Sequence, residues 1–305
     1  MCADGSSPTS IDAAPRVSVV VPHWNDLPRL ARCLETLEAQ SLARAAYEII
    51  VADNMTPGGL GDLAERFPAV TCVEARERGA ACARNAGLAV ARGDAIAFID
   101  ADCEAHPDWL REGLASLDDA ELCGGAVDVT IARVGAPSPV ESFEKAFAFH
   151  QRDYVERKGF SVTANLFARA EAARAVGPFT NGVAEDKEWC ERAGALGFRL
   201  VFNANAIVRH PARTTWRELV AKWDRLIRER WNGRDRRGGL ARVQWAALAV
   251  ATALSAGPHL AVVAASPRLD GPRERLAAAA TLTRIRVWRA GRMLALLWGA
   301  PPRSA

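Results

Sequence analysis

Short apolar runs alternate with helical patterns over the first hundred residues of the chain. The apolar run at residues 17–21 predicts a buried strand, and three further strands are predicted at residues 48–52, 70–73 and 95–99. The segments between them repeat apolar residues at helical spacing, at residues 27–40, 62–67 and 79–91. This alternation with short connections predicts an α/β fold, with a mostly parallel sheet flanked by helices.

The pattern is less regular from residue 121 to residue 212. Strand-like segments lie at residues 126–131, 200–202 and 206–208, and helix-like segments at 140–157 and 185–196. We expect the α/β domain to occupy residues 17–212. Residues 1–16, which contain no apolar run, are expected to form a disordered tail.

The last third of the chain has a different pattern. Residues 216–231 place Trp and branched apolar residues at helical spacing, with Arg and Lys on the other face. Residues 243–265 contain no Lys, Arg, Asp or Glu and are long enough to span a bilayer, but they are rich in Ala and interrupted by Gly257-Pro258. We expect a broken pair of short helices there, followed by an Arg-rich amphipathic helix over residues 273–298.

Charge divides the chain at the same boundary. The formal net charge is +3, yet residues 207–305 contain 19 of the 39 Lys and Arg and only six of the 36 Asp and Glu. For residues 213–305, this charge and six of the nine Trp favour peripheral or re-entrant attachment to an anionic membrane surface. A true span and a soluble helical cap are the alternatives. Nucleic acid is not expected as a partner, because the apolar run has no role in binding it.

The composition and the cysteines indicate the cellular compartment of the protein. Half of the residues are hydrophobic and a quarter are charged, which is typical of globular proteins. Seven scattered cysteines form no CxxC pair, which favours a reducing compartment over a disulfide framework. The N-terminus lacks the apolar run of a signal peptide. We expect the cytoplasmic face of the cell membrane, with the cytoplasm as the alternative location.

Carboxylates follow two of the predicted strands. Asp53 and Asp100 lie at strand ends, which is where parallel sheets bind ligands. Asp100-Ala101-Asp102 places two carboxylates on the same side of an extended segment. Such hard oxygen ligands suit Mg²⁺ or Mn²⁺. The alternative is a solvated turn before the next helix.

Other polar residues admit a structural and a chemical interpretation. Glu185-Asp186 begins a helix, where acidic residues either complement the helix dipole or act as a general base. His210 is either structural or an imidazole ligand of the same metal. Arg84 either contacts a phosphate or base, or belongs to a helix packed closely through small residues.

The order of these elements resembles the family 2 glycosyltransferases, which have the nucleotide-sugar-binding fold called GT-A. The resemblance covers residues 17–212. The segments that carry it are Pro22-His23-Trp24-Asn25, Val51-Ala52-Asp53-Asn54, Arg84-Asn85-Ala86-Gly87, Asp100-Ala101-Asp102, Thr163-Ala164-Asn165-Leu166, Val176-Gly177-Pro178-Phe179, Glu185-Asp186 and Val208-Arg209-His210. The resemblance implies inverting transfer of a sugar from a nucleotide diphosphate sugar to an acceptor hydroxyl.

The resemblance also implies a donor site. Asp53 would contact the nucleobase, commonly uracil, and Asp100 would touch the ribose and the metal shell. Pro22, Asn25 and Arg84 would complete the nucleotide-binding residues.

Metal, catalytic and acceptor roles follow from the same resemblance. Asp102 would bind a divalent Mn²⁺ or Mg²⁺ directly together with Asp100, and His210 would complete the metal or diphosphate site. Asp186 would be the general base, with Glu185 beside it. The acceptor side is represented by Thr163 and Asn165.

The chain departs from the family pattern at three places. Asn54 stands where a second acid is common, and Arg169 is followed by Ala170 where paired Arg residues are common. The Q-x-x-R-W motif of the processive branch is absent, since Arg230-Trp231 lacks the preceding Gln. We therefore expect transfer of a single sugar.

The sequence thus predicts a metal-dependent glycosyltransferase of the hexosyltransferase type. A UDP-sugar donor and a glycan or lipid-linked acceptor are expected, in the synthesis of surface polysaccharide or glycolipid. A nucleotidyltransferase of related fold would need a Gly-rich, Arg-containing loop where Pro22-His23-Trp24-Asn25 stands. A catalytically inactive membrane scaffold is the other alternative.

Overall fold

The computed structural model describes residues 14–232 and 239–298. Their centre is one eight-stranded mixed sheet with helices on both faces. The predicted tail falls almost wholly on residues 1–13, which lie outside the described residues.

The first half of the chain forms the parallel part of the sheet. Its strands are β1 (Val17–His23), β2 (Tyr47–Asp53), β3 (Val70–Glu74) and β4 (Ala95–Ile99). Its helices are α1 (Leu27–Glu38), α2 (Leu63–Arg66) and α3 (Ala80–Val90), with a 3-10 turn at Arg44–Ala46. The strand order β3-β2-β1-β4 is parallel throughout, which confirms the predicted α/β alternation.

The small residues of α3 allow close packing on β1. A Cβ added to Gly87 would lie 2.5 Å from Cγ1 of Val20, so a larger residue would separate the helix from the strand. Arg84, one turn earlier, is buried at 4% exposure. The close approach of α3 therefore places the guanidinium of Arg84 beside the ends of the strands.

The second half completes the sheet with mixed pairing. The elements in chain order are β5 (Glu104–Ala105), α4 (Trp109–Ser116), β6 (Leu122–Thr130), α5 (Pro139–Phe147), α6 (Gln151–Lys158), β7 (Asn165–Arg169), α7 (Ala170–Val176), α8 (Glu185–Ala195) and β8 (Leu200–Pro211). Strand β7 pairs antiparallel with both β4 and β6, and β8 pairs parallel with β6. The full order is β3-β2-β1-β4-β7-β6-β8-β5.

Two predicted elements differ from the structure. The single helix expected over residues 140–157 is two helices, because Phe149 adopts a left-handed φ of 51° that an α-helix cannot contain. The two short strands expected at residues 200–202 and 206–208 are the one strand β8. The pairing of β8 with β6 is irregular between Gly125 and Ala126, so that residues 204–206 have no partner in β6 while the strand continues.

The C-terminal region is helical, as expected. It consists of α9 (Trp216–Asn232), α10 (Gly239–Leu254), α11 (Ala256–Ala265) and α12 (Gly271–Leu297). The break between α10 and α11 falls at Ser255, so Pro258 lies in the first turn of α11, where its missing N–H costs little.

These helices pack on the α/β domain. Val140 and Phe143 of α5 share an apolar cluster with Leu282 and Ile285 of α12. The hydroxyl of Thr281 also donates a 3.0 Å hydrogen bond to the carbonyl of Pro139. The C-terminal region is therefore fixed to the sheet through α5.

Candidate active site

A cleft of about 750 Å³ opens at the carboxyl ends of β1 and β4 and is bounded on one side by α9. Most of the predicted site residues line it: Pro22, Arg84, Asp100, Asp102, Thr163, Glu185, Asp186 and His210. Three others do not, namely Asn25, Asp53 and Asn165. The position of the cleft agrees with the rule that open α/β sheets bind ligands beyond their carboxyl strand ends.

Asp53 faces the protein rather than the cleft. Its Oδ1 accepts a 2.5 Å hydrogen bond from the Thr56 hydroxyl, and its Oδ2 accepts one of 3.1 Å from the Thr56 N–H. Nε2 of His23 accepts from the N–H of Asp26 at 3.0 Å, so its proton is on Nδ1, 3.3 Å from Asp53 Oδ1. Asp53 thus holds His23, whose side chain is itself buried, and the cleft surface at this strand end is formed with the exposed Trp24.

The hydrogen bonds of Asn54 account for an amide at the position where the family commonly has a second acid. Its Nδ2 donates to the carbonyl of Glu77 and its Oδ1 accepts from the N–H of Gly79, both at 2.9 Å. A carboxylate could make only the second of these bonds, because it has no proton to donate. The amide therefore fixes the loop that leads into α3.

Arg84 joins the two acidic segments of the cleft. Its Nη2 lies 2.9 Å from Asp100 Oδ1, and its Nη1 lies 3.1 Å from Glu185 Oε1. The buried Nε has no hydrogen-bond partner among the described residues. Arg84 is thus engaged with carboxylates on both sides, and it links the end of β4 to the start of α8.

Asp102 and His210 form a candidate metal pair. Nδ1 of His210 lies 2.8 Å from the carbonyl oxygen of Pro211, which can only accept, so this nitrogen carries the proton. In the neutral imidazole the lone pair of Nε2 then faces Asp102 Oδ2 at 3.5 Å. Two facing acceptors need a cation or a proton between them, and His with a fixed tautomer is a common metal-ligand arrangement.

Cys103 is the third member of this cluster, whose ligand atoms lie within 4.8 Å of one another. Burial and the nearby carboxylates raise the pKa of its thiol well above the ordinary value, so it stays protonated. Burial also raises the pKa of Asp102 in spite of His210. The carboxylate, the imidazole and the neighbouring Asp100 suit Mn²⁺ or Mg²⁺ better than a soft thiolate-binding metal.

Asp186 has the environment of a general base. Burial, and then the neighbouring Glu185, raise the pKa of Asp186 to about 6. Its Oδ1 accepts a hydrogen bond from the N–H of Lys187 at 2.8 Å. The helix α8 that carries it is fixed by the fully buried Trp189, whose indole donates to the Gly177 carbonyl at 2.9 Å. A carboxylate with this pKa is ionised at neutral pH and still basic enough to take a proton.

The cleft also contains two cationic side chains, Arg213 and Lys222, that were not predicted from the sequence. Glu144, 2% exposed, pairs with the guanidinium of Arg213 and the ammonium of Lys222, each at 3.1 Å. A second cavity of about 450 Å³ shares these cations and Arg225 with the cleft and adds Arg29. It also shares the metal pair, so positive charge surrounds the candidate metal position.

Of these two cations, only Arg213 had an indication in the sequence. Arg213 follows His210 by three positions, and this closeness in sequence is the signal that could have indicated it. Lys222 lies on the polar face of α9, and no pattern indicated that this face turns towards the cleft.

The predicted acceptor residues separate in the structure. Thr163 lines the cleft. Asn165 is fully buried, and its Nδ2 donates to the carbonyls of Ala126 and Ala206 at 2.7 and 2.8 Å. Its Oδ1 accepts from the indole of Trp109 at 2.9 Å. Asn165 therefore ties β7 to its neighbours and has no group left for a ligand.

Asn25 is exposed at the rim, outside the lining of the cleft. It has a left-handed φ of 50°, and its N–H donates to the Thr56 hydroxyl at 2.9 Å. Its neighbour Trp24 does line the cleft and is 55% exposed. The turn after β1 thus presents an aromatic ring to the cleft.

Two solved structures resemble the whole chain. The mannosyltransferase PcManGT of Pyrobaculum calidifontis, in complex with GDP-Man and Mn²⁺, matches with a TM-score of 0.59 at 21% identity, over 95% of this chain and 89% of that one. S. aureus TarS 1-349, in complex with UDP, matches with a TM-score of 0.52 at 15% identity, over 94% and 93%. The GT-A fold expected from the sequence is thereby confirmed.

Sequence comparison agrees with the fold. Glycosyltransferase AglE of Haloferax volcanii is 30% identical over 221 residues, which cover 70% of this chain and 72% of AglE. The model of the family described as Glycosyl transferase family 2 matches residues 18–175, more than half of the chain. With the carboxylates of β4 and α8 in one cleft, the chain belongs to glycosyl transferase family 2.

Proposed function

We propose that the protein is an inverting, metal-dependent hexosyltransferase that moves a sugar from a nucleotide diphosphate sugar, a UDP-sugar in the first instance, to an acceptor hydroxyl. The observation that carries this proposal is that Asp102, His210 and Asp186 line one cleft. A metal-ligand pair and a general base are the two parts that such a displacement needs.

The leaving group is a nucleoside diphosphate, which develops negative charge as the glycosidic bond breaks. A divalent metal held by Asp102, Asp100 and His210 would supply electrostatic stabilisation of that charge. Arg213 and Lys222 add protein cations beside this position and are themselves held in place by Glu144. The cleft therefore favours the ionised product of the bond-breaking step.

The acceptor hydroxyl needs a base. Asp186 would accept its proton as the oxygen attacks the anomeric carbon from the face opposite the diphosphate, which inverts that carbon. The leaving diphosphate needs no proton from a second catalytic carboxylate, unlike the leaving group of a glycoside hydrolase. Glu185 and Asp100, both paired with Arg84, are positioned to align Asp186 and the donor rather than to transfer protons.

The nucleoside end of the donor has candidate partners at the strand ends. His23 and Trp24 line the cleft there, and Trp24 offers an aromatic face on which a base can stack. Asp53 would act on this end through His23. The solved structures of similar fold hold GDP-Man and UDP, so both nucleotides belong in the test.

A glycan or lipid-linked acceptor at the cytoplasmic face of the cell membrane completes the proposal. The described residues include one apolar helical stretch, Gly239–Ala265, long enough to cross a membrane by length and composition. A family 2 transferase with such a stretch suits acceptors of surface polysaccharide or glycolipid synthesis.

The test is calorimetric titration of the full chain with UDP and with GDP, in the presence of Mn²⁺ and then of a chelator. Metal-dependent binding of one nucleotide by the wild type, lost in Asp102→Ala and kept in Asp186→Ala, is the expected result. Asp118→Ala, at an exposed carboxylate outside the cleft, is the matched control. Absence of binding to either nucleotide would favour the inactive scaffold, and equal losses in both active-site variants would overturn the division of roles.

A further inference from the structure

The C-terminal helices expose an unusual amount of apolar surface. Large apolar side chains that are exposed in this region are Leu240, Val243, Val250, Leu254, Leu260, Val262, Leu276, Val287 and Trp298. The most apolar 18-residue part of the stretch Gly239–Ala265 has a mean hydropathy of 1.7, and only 17% of that part is buried. A contiguous apolar face of this kind marks an interaction surface.

The exposed large apolar residues of α10 lie on one side of this helix. Leu240, Val243, Val250 and Leu254 follow helical spacing, with the exposed Ala247 between them. The opposite side of α10, with Trp245, is buried. We call this outward side of α10 the apolar face; α11, which follows it, is exposed around most of its circumference, including Leu260 and Val262.

The buried side of these helices is fastened to α12 along its length. The indole of Trp245 donates to the Met293 carbonyl at 2.8 Å near one end. Nε of Arg275 donates to the carbonyl of Ala264 at 3.1 Å near the other end. The two helices and α12 therefore run antiparallel and side by side, with the apolar face turned away from α12.

Helix α12 cannot enter the hydrocarbon of a bilayer. It carries Arg284, Arg286, Arg289 and Arg292 within its second half, and arginine is costly at membrane depth. It is also bound to the α/β domain, where Lys145 of α5 pairs with Glu274 at 2.7 Å. A helix that packs along α12 can meet a bilayer only with its outward side.

The charge of the exposed C-terminal surface agrees with an anionic bilayer. Arg242 is exposed at the start of α10, next to Val243 of the apolar face, and Arg273 and Arg284 are exposed on α12. Basic residues beside a buried apolar stripe are the pattern of helices that lie in the interface of anionic bilayers.

From this packing we propose that α10 and α11 lie in the plane of an anionic phospholipid bilayer, with the apolar face inserted, and do not cross it. The inference deepens the proposed location of the transferase. It depends on the C-terminal helices alone, so it stands or falls separately from the nucleotide site.

The first experiment measures binding of the full chain to phosphatidylcholine vesicles with and without phosphatidylglycerol. We expect binding to the anionic vesicles that weakens with salt, and a loss of about tenfold or more in Val250→Asp/Leu254→Asp, since two inserted apolar side chains become charged. Val134→Asp/Leu196→Asp, at exposed apolar positions of the α/β domain, should bind like the wild type. Wild-type binding that is absent, or unchanged in the α10 variant, would overturn the proposal.

A second experiment separates the in-plane arrangement from a span. A protease site appended to the C-terminus of the vesicle-bound protein should be cut completely by protease added outside, because the segments before and after the helices stay on one side. Protection of this site would show that Gly239–Ala265 crosses the bilayer.

Folding and nucleotide binding serve as internal controls. Val250→Asp/Leu254→Asp should keep the Mn²⁺-dependent nucleotide affinity of the wild type, so a failure of the donor site and a failure of membrane docking give different results. If that variant is unfolded, Leu240→Ser/Val243→Ser makes a milder change to the same face, and wild-type vesicle binding by this pair would equally overturn the proposal.

Discussion

The imidazole of His210 places its Nε2 3.5 Å from the carboxylate of Asp102, while its Nδ1 donates to the carbonyl of Pro211 at 2.8 Å. This hydrogen bond fixes the tautomer of the neutral imidazole, in which the lone pair of Nε2 faces Asp102. The pair is therefore prepared for a cation before any substrate arrives.

Replacing His210 with Gln should weaken metal binding. We expect the affinity for Mn²⁺, measured by calorimetry in the presence of the nucleotide, to fall by about tenfold or more, because an imidazole ligand is removed from a hard-metal site. The control is His106→Gln, since His106 is half-exposed and lies outside the cleft. Unchanged Mn²⁺ affinity in His210→Gln would show that His210 is structural.

Replacing Asp186 with Asn should lower the rate and leave the donor affinity unchanged. A general base contributes roughly 10²–10⁴-fold, so kcat should fall by about that factor. In the wild type, kcat/KM should decline as the pH falls through about 6, since Asp186 must be ionised to take a proton. A wild-type profile that is flat from pH 5 to pH 8, roughly the range in which such a base titrates, would contradict this role.

The same variant should be more stable than the wild type at neutral pH. Asp186 has its pKa raised in the folded state, so it favours folding in its protonated form, and this contribution is lost as the pH rises through about 6. Asp186→Asn should therefore unfold at higher urea concentration above that pH, by up to about 3 kcal/mol, and match the wild type near pH 4. A stability difference that is independent of pH would point to packing instead.

Arg84 and Glu185 should be energetically coupled. In a cycle of Arg84→Met, Glu185→Gln and the double variant, urea unfolding should give a coupling of about 1–3 kcal/mol, because Arg84 is buried and leaves its partner unpaired when it is removed. The exposed Arg152–Glu156 pair on α6, at 2.9 Å, is the matched control and should couple by less than about 0.5 kcal/mol. Equal coupling in the two pairs would contradict the bridging role of Arg84.

Glu144→Gln should destabilise the protein by roughly 2–4 kcal/mol, since it leaves Arg213 and Lys222 facing one another without their shared carboxylate. The pKa of Glu144 is lowered by these two cations despite its burial, so its contribution is fully present above the ordinary carboxyl pKa and is lost as the pH falls. The stability gap to the wild type should narrow in acid. Glu156→Gln, at an exposed carboxylate, should show no such gap.

The repeating patterns of the sequence were enough to predict the first half of the fold. Strands β1, β2 and β4 are buried runs that local pattern identifies without tertiary information, and β3 is a partly exposed strand at the edge of the sheet. The break at Phe149 and the continuity of β8 were not predictable, because both depend on pairing and packing with distant segments. The broken pair of helices in the apolar stretch was predicted from the sequence, but its antiparallel packing along α12 needed the structure.

The sequence predicts where an element ends but not in which direction a side chain there points, and this limited the prediction of the site. Asp100, Asp102 and Asp186 were placed by their positions at element ends, and they do line the cleft. Asp53 follows a strand in the same way, yet Thr56 turns its carboxylate inward. Asn165 is drawn into the core by Trp109, which is 56 residues earlier in the chain. Neither contact has a signature in the local sequence.

Helix α9 contacts both the cleft and the C-terminal helices. Lys222, Trp223 and Leu226 on one side line the cleft, while Leu219 and Ile227 on another side pack into the C-terminal clusters. Any force that shifts the C-terminal helices must therefore move one wall of the cleft. If docking on a bilayer favours one position of α9, the same position sets the affinity for substrate, and substrate binding must in return strengthen attachment to the membrane by the same factor.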